Sequence, residues 1–92
     1  MSDWVTHAER TLERAGHRSS SPRSAVVSAL ADLRCSASAK QISDRVRQRG
    51  SDVGVASIYR TLDLLDSLRL ARRVDSGEGV ARYEPVDPSG HH

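Results

Sequence analysis

The residues best suited to chemistry in this chain lie between Gly54 and Leu62, in GVASIYRTL. Tyr59 and Arg60 sit side by side, preceded by the small Ala56 and Ser57. At ~100° per residue on a helix, Val55, Ile58, Leu62 and Leu65 mark the buried side. That turns Ala56, Arg60 and Asp63 outward, flanked by Ser57 and Tyr59. Such a face is suited to reading a duplex. Ala56 can touch a thymine methyl, Ser57 can donate or accept at a base edge, and Arg60 can reach guanine or a phosphate. The Tyr59 ring can pack on methyl groups with its hydroxyl on a phosphate. The competing assignment has Tyr59 covering a following β-hairpin and Arg60 paired with Asp63 or Asp66.

Other chemistry is scarce. The single cysteine, Cys35, excludes an internal disulfide and a CxxC metal pair. No nucleophile stands near a base, no glycine-rich phosphate loop occurs, and no paired acids mark a cleft, so an enzyme is not expected. Neither an apolar leader nor a membrane span is expected, and a reducing cytoplasm is the simplest setting. Charge is uneven. Residues 1–50 hold nine Lys and Arg against five acids, and residues 51–92 hold five against seven. A basic half favours nucleic acid weakly.

The elements that must hold this face are legible from period and punctuation. Trp4, Ala8, Leu12 and Ala15 form one helical stripe stopped by Gly16. Ser21 followed by Pro22 reads as an N-cap with proline at the first helical position, and Val26, Val27, Leu30 and Leu33 follow as an apolar face. Cys35 to Ala37 reads as a tight connection. Ser38 and Gln41 fit a capping box for a short third helix carrying Ile42 and Val46, ended by Gly50. After Leu68 the period becomes two, broken by a glycine-containing turn, which predicts a β-hairpin. The expected fold is α+β, a winged helix-turn-helix of four helices followed by a two-stranded hairpin wing. It occupies residues 1–85, and Pro85 and Pro88 close the regular structure.

The run VASIYRTLDLL resembles the recognition helix of the ferric-uptake-regulator (Fur) family, whose pattern is near A-[ST]-[VI]-Y-R-x-L. AGHR at the end of the first helix, SxPR at the start of the second, SAKQISDRV and the closing GVARYEP extend the likeness. It implies a metal-dependent, homodimeric repressor acting on double-stranded DNA, at a palindromic A/T-rich operator, with the isolated domain monomeric. It implies that Tyr59 contacts a thymine, with Ala56, Ser57 and Arg60 in or beside the major groove. Arg18 matches a basic position reaching the backbone or the minor groove, and Arg23 a phosphate contact. The resemblance further implies a partial metal site from Glu84, His91 and His92, for iron, zinc, nickel or manganese. His91 and His92 read equally well as a chain end or an affinity tag. The likeness departs from the family where the family's CxxC pairs and dimerisation domain would stand. A metal-independent winged-helix regulator and a winged-helix protein-interaction module remain the alternatives.

Overall fold

The computed structural model describes residues 2–18, 20–33, 36–75, 77 and 79–86. Its elements are α1 (Ser2–Arg14), α2 (Ser21–Leu33), β1 (Ala37–Ser38), α3 (Ala39–Gln48), α4 (Val55–Ser67), β2 (Ala71–Asp75) and β3 (Ala81–Pro85). No helix among the described residues is long and apolar enough to cross a membrane.

The helices begin and end where local chemistry satisfies their free amides and carbonyls. In α1, Trp4, Ala8 and Leu12 are buried as the stripe requires, while Ala15 lies past the last turn and is exposed. Gly16 turns left-handed at φ 89°, and the Gly16 and His17 amides donate to Glu13 and Leu12 at 3.0 and 2.9 Å. The start of α2 differs by one residue from expectation. Ser20 caps it: its carbonyl accepts from Ser24 at 2.9 Å and its hydroxyl from the Arg23 amide at 3.4 Å. Pro22 therefore stands second in the helix, where its missing amide is equally harmless. The capping box of α3 is complete, with the Ser38 hydroxyl accepting from Gln41 at 3.2 Å and the Ser38 amide donating to Gln41 Oε1 at 2.9 Å.

The hairpin of β2 and β3 forms, and a third strand that the pattern does not reveal joins it. β1 pairs antiparallel with β3, which lies in the middle of the order β1-β3-β2. Two residues are too few to show alternation. Tyr83 stands opposite Ala37 on one side and Arg73 on the other, and its ring is buried. The core runs from Trp4 through Leu30, Ile42, Ile58, Leu62 and Leu65 to Leu70 and Tyr83. Its farthest link is polar. Trp4 Nε1 donates to the Leu70 carbonyl at 3.0 Å, and the Val86 amide donates to the same oxygen at 2.9 Å.

Asp32 ties α2 to α3. Its carboxylate accepts from Arg45 Nε at 3.1 Å and pairs with the Arg49 guanidinium. Burial works against its charge, but hydrogen bonds from Arg45 and Arg49 outweigh it and hold the carboxyl below its ordinary 3.8. A depressed folded value stabilises the fold above 3.8 and loses that contribution as pH falls through the folded value. Asp32→Asn should therefore lower the unfolding free energy at neutral pH by on the order of 1 kcal/mol or less. The gap to the parent should close in acid. Urea melts at both ends of the range check this, and a gap that is constant with pH would refute the clamp.

Candidate nucleic-acid interface

α4 buries Ile58, Thr61, Leu62 and Leu65. Val55 departs from the expected stripe: its side chain is 61% exposed. It lies at the edge of the stripe and in the first turn, ahead of the part of α4 that buries Ile58, Leu62 and Leu65. Thr61 takes a buried place instead, its hydroxyl donating to the Ser57 carbonyl at 2.9 Å, so no polar atom is stranded. The outward face carries Val55, Ala56, Tyr59, Arg60, Asp63 and Asp66, with Ser57 half-buried at its border.

This face is unengaged where it would meet a partner. Among the described residues, neither the Arg60 guanidinium nor the Tyr59 hydroxyl has a hydrogen bond or ion pair. The alternative pairing of Arg60 is not adopted, and Asp66 instead accepts from the Arg73 amide at 3.4 Å. Gly54 caps the helix without a side-chain bond, and the first turn contains no acid. The amides of Val55, Ala56 and Ser57 thus keep the positive end of the helix open. The same face becomes acidic further along, at Asp63 and Asp66. A polyanion is accommodated at the first two turns and repelled beyond them, which favours end-on entry into a groove.

Arg18 and Arg23 lie together at the α1–α2 turn, apart from the α4 group. They line an open cleft of about 100 Å³ with Glu9, Glu13, His17, Ser20 and Ser24. The two arginines differ in state. The Arg23 guanidinium donates to the Arg18 carbonyl and braces the turn, whereas the exposed Arg18 guanidinium has no partner among the described residues. The wing arginines are all engaged: Arg72 with Glu84, Arg73 with Asp75 at 3.8 Å, and Arg82 with Gln41 at 3.3 Å and the Ser36 carbonyl at 3.5 Å.

Of the expected metal ligands, Glu84 alone lies among the described residues. Glu84 faces Arg72 across the hairpin and accepts from its Nε at 3.1 Å. His91 and His92 lie outside the described residues. Among the described residues no three His, Cys, Asp or Glu side chains group to hold a metal ion, so these residues do not by themselves fit one.

Comparison with known proteins agrees with this geometry. Residues 14–92 match the model of the ferric uptake regulator family. A zinc uptake regulation protein of Mycobacterium tuberculosis is 36% identical over 73 residues, covering 77% of this chain and 56% of the relative. A ferric uptake regulation protein of Bacillus subtilis is 36% identical over 47 residues, covering 51% of this chain and 32% of the relative. This chain therefore spans about a third to just over half of these relatives. The manganese-containing ferric uptake regulator of Pseudomonas aeruginosa superposes with a TM-score of 0.76 at 28% identity, over 87% of this chain and 60% of that one. The Vibrio cholerae regulator, whose structure is described in terms of its DNA-binding domains, shares the fold at a TM-score of 0.78 and 24% identity, over 91% and 63% of the two chains. With the four helices, the wing and the YR-bearing helix in place, the chain belongs to the ferric uptake regulator family.

Proposed function

We propose that residues 1–85 form the DNA-binding unit of a metal-responsive transcriptional repressor, with residues 86–92 leading toward a dimerisation domain. Ala56, Ser57, Tyr59 and Arg60 enter the major groove of an A/T-rich palindrome, Arg18 reaches the backbone or the adjacent minor groove, and Arg23 meets a phosphate after releasing the Arg18 carbonyl. A homodimer sets two copies of α4 at half-site spacing, and occupancy of the operator excludes polymerase. The observation that carries this reading is the unengaged Tyr59 and Arg60 beside an open helix end. The uptake-regulator relatives support it, and the work takes place in the cytoplasm.

The metal part rests on the relatives' names and on the manganese of the Pseudomonas structure. Glu84, His91 and His92 supply part of a donor set, in which Glu84 Oε1 is already engaged by Arg72. That ion pair favours a second reading, a regulator that binds DNA without metal. A gel shift with the full-length protein and a duplex selected from a random pool separates the two. Binding should fall at least tenfold after chelation and return with added metal; equal binding before and after chelation supports the metal-independent reading.

A further inference from the structure

Val55 is the most exposed large hydrophobic side chain among the described residues, and it opens α4. Neither helix propensity nor packing accounts for it. A β-branched residue is a poor choice for a helix, and α3 begins with Ala39 in the corresponding place. Val55 and Tyr59, four residues apart, form one apolar row on the outward face, with Val55 about 6 Å nearer the tip. The surroundings suit a polyanion: open first-turn amides, a free Arg60 and no first-turn acid. An apolar side chain at the tip of a helix that meets DNA end-on has one apolar group to touch on the base edges of the major groove, the 5-methyl of thymine.

We infer that Val55 is a specificity-determining residue of the proposed interface, reading a thymine methyl ahead of the positions served by Tyr59. The inference rests on the DNA-binding reading above, and its test separates the two. The full-length protein is used to select duplexes from a pool with a randomised centre. The selected duplex is then remade with uracil in place of each thymine in turn, which removes only the methyl group.

The parent should lose about fourfold in affinity at one thymine of each half-site, the worth of roughly one buried methyl group. Val55→Ala, an exposed change that leaves the core intact, should bind that thymine and uracil alike. It should still respond to substitutions at thymines sensed by Tyr59, which Tyr59→Ala identifies. An unchanged uracil profile in Val55→Ala overturns the role of Val55 and leaves the DNA reading standing. So does a profile in which Tyr59→Ala alone abolishes every methyl effect. A pool that yields no selected sequence overturns both.

Discussion

Arg60→Ala should bind its operator about five- to 150-fold more weakly than the parent, with no measurable loss of stability. The size follows from the value of one good arginine contact to a base, about 1–3 kcal/mol. The neutrality in stability follows from its surroundings: the guanidinium is exposed and no partner among the described residues is abandoned when it is removed. Surface substitutions of this kind usually stay within about 0.5 kcal/mol. Anisotropy titration against a selected duplex, beside a thermal melt, reads both quantities. Varying the salt adds a discriminating measurement. If Arg60 meets a base, affinity falls at one position of the site and the salt slope barely moves; if it meets a phosphate, all sequences weaken together and the slope drops by about one. Retained affinity in Arg60→Ala together with Tyr59→Ala would remove α4 from the interface.

Trp4→Ala should cost about 3–5 kcal/mol, among the larger losses expected of a core truncation. The ring is 1% exposed, and it joins the first helix to the carbonyl of Leu70 at the start of the wing. A domain with a total stability of about 5–15 kcal/mol has little left after such a loss. Trp4→Phe separates the two causes. It keeps most of the buried surface and forfeits the indole N–H, so it should cost about 1 kcal/mol from the hydrogen bond, plus a smaller packing loss. The Leu70 oxygen retains the Val86 amide in either variant, which limits the penalty at that atom. Urea unfolding followed by circular dichroism checks both variants. A loss under 1 kcal/mol in Trp4→Ala would show that α1 is not integral to the core. The family match starts at residue 14, so this dependence belongs to a segment preceding the matched stretch.

Much of this was legible in the residues because each helix carries its own punctuation. Gly16 and Gly50 stop α1 and α3 where their left-handed φ allows the terminal carbonyls to be satisfied, and Ser38 with Gln41 opens α3. The change from helical to alternating period after Leu68 places the wing. What escaped has physical reasons. β1 is defined by a partner more than forty residues away and has no pattern of its own. Three consecutive serines precede Pro22, each able to cap, and only the fold selects Ser20. The end of α4 uses Arg69 at φ 61° in the left-handed place that glycine fills in α1 and α3, so no stop signal marks it. Val55 satisfies the apolar period yet has no opposing element, since periodicity registers direction around a helix but not what stands opposite. Helical period located the outward face of α4, and the likeness of VASIYRTL to the family pattern added the contacts expected of its residues. The Arg72 partner of Glu84 was not visible without the strand register.

Ser38 belongs to two elements at once: it pairs with Arg82 in the sheet and caps α3 through its hydroxyl. Adding or deleting one residue there would shift the sheet partner and the helix origin together, and both would have to be rebuilt. At the wing tip, Gly77 and Gly79 have open space around them, with nothing within 4 Å of a built side-chain carbon. Length variation among natural versions of this domain should therefore accumulate in the wing tip, while the segment from Ser36 to Ser38 keeps a fixed count. The joint between sheet and helix thus sets where the gene can gain or lose codons.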